Sequence, residues 1–191
     1  CEPLRRALEI CQNGRYKAGE MEALTWLGVF FMRQERFAES TRYYEQALHL
    51  SRLLAEESAE AELLGNLGVV LRYQDDLAGS QSYHEEALTV FRQLNVIGSE
   101  QWLVGELGYT AILLGDYAKA EENLTAALTI AQKIKDVFWE AWVKTRMGTL
   151  LNEQGKPEEA LPYLTAAFAV AEQLENPRLQ GMVLLDWGYA L

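Results

Sequence analysis

Glycine returns at a fixed interval along this chain: Gly28, Gly68, Gly108, Gly148 and Gly188 are each 40 residues apart. A constant period of this size marks stacked supersecondary units, and it constrains the fold more than any single segment does. The rest of the sequence holds the same register. Alanine recurs at Ala7, Ala47, Ala87, Ala127 and Ala167, each time followed by a large apolar residue, Leu8, Leu48, Leu88, Leu128 or Phe168. Each glycine is preceded by Leu27, Leu67, Leu107, Met147 or Trp187. With 14 glycines in 191 residues, glycine usage is ordinary, so composition does not produce this alignment.

Within one period the apolar spacing is helical. From Val96 to Leu114, the residues Val104, Leu107, Ala111 and Leu114 form the stripe of an amphipathic helix. Gly115-Asp116 then reads as a tight turn with Asp116 as helix N-cap. Tyr117 to Ile134 reads as a second helix that turns Ala120, Leu124, Ala127, Leu128 and Ile130 inward. Lys135-Asp136 closes the unit. Gly155-Lys156-Pro157, Asn176-Pro177, Asn13-Gly14 and Asn95 punctuate the other units, with Pro157 suited to a first helical turn. No period-two alternation suggests a strand. The expectation is an all-α chain of about ten antiparallel helices in one array. Full units fall at 17–56, 57–96, 97–136 and 137–176. Residues 2–13 match only the second helix of a unit, and 177–191 only the first. Neither end carries a polar capping helix, which solenoids need for solubility, so the sequence reads as an excerpt of a longer protein.

The repeated small residues mark close approaches between helices. Gly28, Gly68, Gly108 and Gly148 are expected to face Ser40, Ser80, Ala120 and Ala160, twelve residues later, while Gly188 has no such partner in the sequence. Ala47, Ala87, Ala127 and Ala167 are expected to contact the following unit.

Charge and cysteine content exclude several classes. The net charge is −11, with 28 acidic against 17 basic residues. That argues against a nucleic-acid backbone or an anionic membrane as partner, since both need a basic footprint. No apolar run has membrane-span length. Cys1 and Cys11 would lie about 15 Å apart along one helix, too far for an intrachain disulfide, which fits a reducing cytoplasm. No catalytic, cofactor or metal constellation stands out. His84 occupies the position filled by Tyr44, Leu124 and Leu164 in other units and reads as a core residue, while His49 reads as a surface residue. His84-Glu85-Glu86 lacks the second histidine of a zinc helix, and Gly148 to Lys156 has the wrong spacing for a phosphate loop.

The motif Leu107-Gly108, Ala111, Gly115-Asp116-Tyr117, Ala120, Leu124, Ala127, with Leu27-Gly28, Phe31, Phe37, Ser40, Tyr44, Ala47 in the first unit, resembles the tetratricopeptide repeat. The departures are a unit of 40 residues in place of the usual 34 and a missing closing proline, with Ser51, Phe91, Ala131 and Ala171 in that neighbourhood. Lys144 also replaces the apolar residue matched by Leu24, Leu64, Val104 and Leu184. The resemblance implies an α-solenoid, a right-handed superhelix of helix–turn–helix pairs whose concave face is lined by first helices. Offsets from the glycines put Trp26, Val29, Asn66, Val69, Arg72, Trp102, Glu106, Tyr109, Trp142, Arg146, Asn152 and Tyr189 on that face. These positions vary between units while the packing positions do not. Their aromatics suit an extended peptide or an amphipathic helix, although Trp102 and Trp142 are equally suited to packing between first helices. Only Asn66 and Arg146 partly match the family's carboxylate clamp. The resemblance thus implies a non-catalytic module that binds a protein or peptide in its concave groove, as the sensor or scaffold segment of a larger bacterial regulator. Two alternatives stand beside it: a small-molecule sensor controlling a fused ATPase or DNA-binding domain, and self-association through the uncapped terminal helices.

Overall fold

A computed structural model describes residues 2–189 of the chain; Cys1, Ala190 and Leu191 lie outside the described residues, and so does the expectation that Cys1 and Cys11 stay unpaired. The described residues form ten α-helices and no strand. They are α1 (Glu2–Asn13), α2 (Lys17–Arg33), α3 (Phe37–Leu54), α4 (Glu57–Tyr73), α5 (Leu77–Gln93), α6 (Ile97–Leu113), α7 (Tyr117–Ile134), α8 (Val137–Glu153), α9 (Pro157–Gln173) and α10 (Pro177–Tyr189). The chain divides into two compact units, Cys1–Val96 and Ile97–Leu191. In the first, α2 pairs with α3 and α4 with α5; in the second, α6 pairs with α7 and α8 with α9.

The backbone repeats twice as often as the side chains. Left-handed residues stand every 20 positions, at Arg15, Glu35, Ala55, Asp75, Asn95, Gly115, Lys135, Gly155 and Glu175. At each, the next residue's amide donates to the carbonyl five residues back, as from Asp116 to Ala111 (3.0 Å) and from Asp136 to Ala131 (2.9 Å). This Schellman-type closure satisfies the last carbonyls of one helix and launches the next. Four of the launching residues also cap with their side chains: Asp76 accepts from the Gly79 amide (2.9 Å), Asp116 from Lys119 (3.1 Å), Asp136 from Trp139 (3.1 Å) and Asn176 from Leu179 (3.0 Å). Pro157 opens α9, where its missing N–H costs nothing.

The repeated glycines pack differently from the expectation. Ser40 and Ser80, like Ala120 and Ala160, are fully buried, and Ser40 Oγ donates to the Gly28 carbonyl at 2.9 Å. The space above each glycine, however, is filled by the side chain sixteen positions later. A Cβ built on Gly28, Gly68 or Gly148 would stand 2.5 Å from Tyr44, His84 or Leu164, and one on Gly108 would stand 2.8 Å from Leu124. The reason lies in helix geometry: in an antiparallel pair the +12 residue meets the backbone carbonyl, and the residue one turn further lies over the Cα. Gly188 is exposed with nothing within 4 Å, because no described helix follows α10. Leu114, expected in the apolar stripe of α6, is also exposed, since α6 ends at Leu113.

Ala47, Ala87, Ala127 and Ala167 have no exposed surface. Around Ala167 the second unit's core gathers Ala141, Ala160, Leu164, Ala171, Leu179 and Val183. Lys144, standing in a normally apolar place, keeps its ammonium on Glu140 Oε1 at 2.6 Å, one turn away on the same helix.

Candidate functional site

The first helices of the second unit lie side by side, α6 against α8 and α8 against α10. Their shared face carries the densest group of the residues singled out from the sequence. Trp142 of α8 rests on the backbone of Gly105 in α6, whose added Cβ would meet the indole at 3.1 Å. It meets Tyr109 edge-to-face at 6.5 Å between centroids and Trp139 at 5.1 Å. Trp142 is therefore a half-buried wall between two first helices. The missing side chain at Gly105 is what lets the indole approach that closely.

Arg146, one turn further along α8, spans three helices. Its guanidinium carbon lies 3.9 Å from the Tyr109 ring centroid on α6 and 5.1 Å from that of Trp142. Its Nη2 donates to Met182 Sδ on α10 at 2.8 Å. Cation–π contact of this kind favours a partly desolvated arginine over a lysine. Asn152 adds a second tie to α10, its Nδ2 donating to the Asp186 carbonyl at 2.8 Å. The Asp186 carboxyl is pushed above the usual aspartate range by burial, against the lowering effects of the Arg146 charge and a hydrogen bond with Thr149.

The remaining predicted residues are more dispersed. Trp26 on α2 is 53% exposed and Tyr189 on α10 is 82% exposed. Val29, Asn66, Val69 and Arg72 on α2 and α4, and Trp102 on α6, are half-buried, with Arg72 over the Tyr73 ring at 5.0 Å. Glu106 is buried, within a stretch of α6 from Leu103 to Gly108 in which every residue is buried. His84 is fully buried, with Nε2 3.2 Å from the Gly65 carbonyl, and His49 is exposed, as expected of each. Met182 and Asp186 fall on the same face by the 40-residue register, at the −6 and −2 offsets of Trp142 and Arg146, but that they meet Arg146 follows only from the packing of α8 against α10. Sequence reasoning missed Trp139, because it lies in the first turn of α8, outside the offsets considered.

A second concavity, about 450 Å³, opens in the first unit between α2 and α3, with Leu24, Leu50 and Leu53 among Lys17, Glu20, Arg42, Glu45 and His49. Among the described residues, no cluster of three or more His, Cys, Asp or Glu side chains could hold a metal ion, and no helix is long and apolar enough to cross a membrane.

Solved structures share this fold. BtubC (BKLC) from P. vanneervenii aligns with a TM-score of 0.76 at 20% identity, over 91% of this chain and 72% of that one. A STAND protein with a tetratricopeptide repeat sensor from Pyrococcus horikoshii aligns at 0.78 and 15% identity, over 98% of this chain and 30% of that one. A Rap protein complexed with Competence and Sporulation Factor aligns at 0.70 and 16% identity, over 98% of this chain and 57% of that one. The chain thus spans just over half of the Rap protein and less than a third of the STAND protein; identities this low speak for the α-solenoid fold alone. No curated protein matches the sequence. The family model described as Tetratricopeptide repeat matches residues 19–93 and 99–173. With both matches in the 40-residue register and the same helix pairs in each, the chain belongs to the tetratricopeptide-repeat family.

Proposed function

We propose that this chain is a non-catalytic module that binds a protein or peptide on its first-helix face, and that it serves as the sensor or scaffold segment of a larger bacterial regulatory protein in the cytoplasm. One observation carries the reading. On adjoining first helices of the second unit, Trp102, Tyr109, Trp142 and Arg146 are all partly exposed, while the small packing residues repeat unchanged, Gly108 with Gly148, Ala120 with Ala160 and Ala127 with Ala167. Rigid, half-buried aromatics beside an arginine are the composition of binding hot spots. They bury much area at little entropic cost. The printed descriptions of two structural neighbours, a repeat sensor in a STAND protein and a Rap protein complexed with a competence and sporulation factor, support a sensing role.

The test is selection of a phage-displayed random heptapeptide library on the immobilised 191-residue chain. The expected result is a family of enriched peptides whose binding falls when Trp102 is replaced by alanine in a protein with unchanged melting. Failure to enrich any peptide would remove the reading. The small-ligand alternative draws on the concavity between α2 and α3, whose mixed charges over an apolar floor suit a zwitterionic metabolite; calorimetric screening of metabolites separates the two.

A further inference from the structure

The residues around the cavity between α2 and α3 set it apart from the equivalent places in the other helix pairs. Its volume, about 450 Å³, lies in the range of small-molecule sites. Leu24 and Leu50 form a buried floor, and Leu53, 65% exposed, stands beside it as an apolar wall. The 40-residue register puts Leu64, Val90 and Gln93 at these three places in the next pair, Val104, Ile130 and Lys133 in the third, and Lys144, Val170 and Gln173 in the fourth. Only the first pair is apolar at all three. The second pair is also bridged: Arg52 of α3 reaches Glu60 on α4 at 2.7 Å and Glu86 on α5 at 3.6 Å. The equivalent residues around the cavity are Gln12, Glu20 and Gln46. Gln12 Nε2 donates to Glu20 Oε1 at 3.1 Å, but no bond joins Gln12 to Gln46, so the bridge is incomplete where the cavity opens.

The charges at the rim are of both signs and do not all neutralise one another. Glu20 is buried with both oxygens occupied, Oε1 by Gln12 and Oε2 by Lys17 at 2.7 Å. Arg42 and Glu45 stand three residues apart on one face of α3, which puts their Cβ atoms about 5–6 Å apart. Neither enters an ion pair among the described residues. Glu39, the acid on the other side of Arg42, is bound to Arg36 instead. Arg42 is exposed, with its guanidinium carbon over the Tyr43 ring at 5.2 Å, a face contact that engages none of its N–H donors.

We propose that this cavity is a site for a free α-amino acid with an apolar side chain, its carboxylate on Arg42, its ammonium on Glu45, and its side chain over the leucine floor and against Leu53. A simple anion would meet the Glu45 carboxylate and the field of a chain with net charge −11, and a simple amine would meet the Arg42 cation; a zwitterion satisfies both. Covering Leu53 removes exposed apolar surface from water. The site deepens the small-ligand reading above and is independent of the peptide one, since it belongs to α2 and α3 and shares no residue with the aromatic face of the second unit.

The test is isothermal titration calorimetry of the full chain with a panel of apolar L-amino acids, and with isocaproate and isoamylamine, which keep the leucine side chain with one charge each. Leucine or a close relative should bind saturably, with Kd of about 1 mM or tighter. Each one-charge analogue of leucine should bind about ten-fold or more weakly than leucine itself. In Arg42→Gln leucine should bind no better than isoamylamine, and in Glu45→Gln no better than isocaproate. Leu53→Gln, which places the residue of the next helix pair at an exposed position, should leave melting unchanged and weaken leucine binding several-fold. An acid or amine that binds as well as the amino acid would overturn the site, and so would an affinity that survives both Arg42→Gln and Leu53→Gln. Absence of saturable binding across the panel would overturn it too; the wider metabolite screen then tests the small-ligand reading separately, and the peptide selection is unaffected.

Discussion

Leu164 and Gly148 form a knob and its hole, so a methyl group added to the hole should change the sign of its effect when the knob is cut back. Leu164 is fully buried, and a Cβ on Gly148 would stand 2.5 Å from its Cδ2 and 2.7 Å from its Cγ. Two terms compete in Gly148→Ala. Alanine is better than glycine in a helix interior by about 1 kcal/mol. Forcing a methyl into a filled space costs about 1–3 kcal/mol. The contact is closer than packed atoms tolerate and involves the branch carbon Cγ of a fully buried Leu164 as well as a terminal methyl, so the second term wins and the single variant should lose about 1 kcal/mol. Leu164→Ala should lose about 2–5 kcal/mol through transfer and cavity terms. In the Leu164→Ala background the new methyl enters the vacated space, and the helix term alone remains. There Gly148→Ala should stabilise by about 1 kcal/mol, an interaction of about 2 kcal/mol across the double-mutant cycle. Urea denaturation followed by tryptophan fluorescence reads this well, since Trp139, Trp142 and Trp187 lie on α8 and α10 beside the altered pair. Slopes must be compared along with midpoints, because a changed slope would signal decoupled repeats. If Gly148→Ala has the same sign and size in both backgrounds, the knob-in-hole reading of the glycines is wrong.

Three further outcomes follow from the same geometry. Lys135→Gly should stabilise by about 0.5–1 kcal/mol in thermal or urea melts, because Lys135 holds φ at +59° as a helix-ending residue, a conformation that burdens every residue with a Cβ; Gly155→Ala, at φ +71°, should lose a similar amount. Asp186→Asn should raise stability at neutral pH. Burial lifts the folded-state pKa of this acid above its unfolded value, so the penalty is complete above the folded value and fades as pH falls through it toward the ordinary aspartate range; wild type and variant should converge in melts at acid pH. Ser40→Ala should cost only about 0.5–1.5 kcal/mol, since it deletes one buried 2.9 Å hydrogen bond to the Gly28 carbonyl at a place where Ala120 and Ala160 show that a methyl fits.

Much of the architecture was legible in the primary structure. Asp116 caps α7 and Pro157 opens α9 as expected, because capping and proline effects are local and depend on a few adjacent residues. The bounds of α7, Tyr117–Ile134, were readable for the same reason. The turn rhythm of 20 residues was legible in part. Asn13-Gly14, Asn95, Gly115, Lys135-Asp136, Gly155 and Asn176-Pro177 mark six of the nine left-handed turns, while those at Glu35, Ala55 and Asp75 carry no such signal. The Schellman closure is made by backbone amides, which carry no side-chain signature. The candidate site was legible only as a set of offsets. That Trp142 would lie on Gly105, that Arg146 would reach Tyr109 and Met182, and that Glu106 would be enclosed all depend on how neighbouring first helices meet.

By itself, the sequence determined the helical class, the 40-residue unit and which positions had to be small, because periodic burial and close backbone approach both select residue types directly. Tertiary structure alone decided which side chain fills each glycine, Tyr44, His84, Leu124 or Leu164. Those outcomes come from side chains far apart in the chain meeting in space, and the spacing of one helix cannot encode the shape of the helix that packs against it.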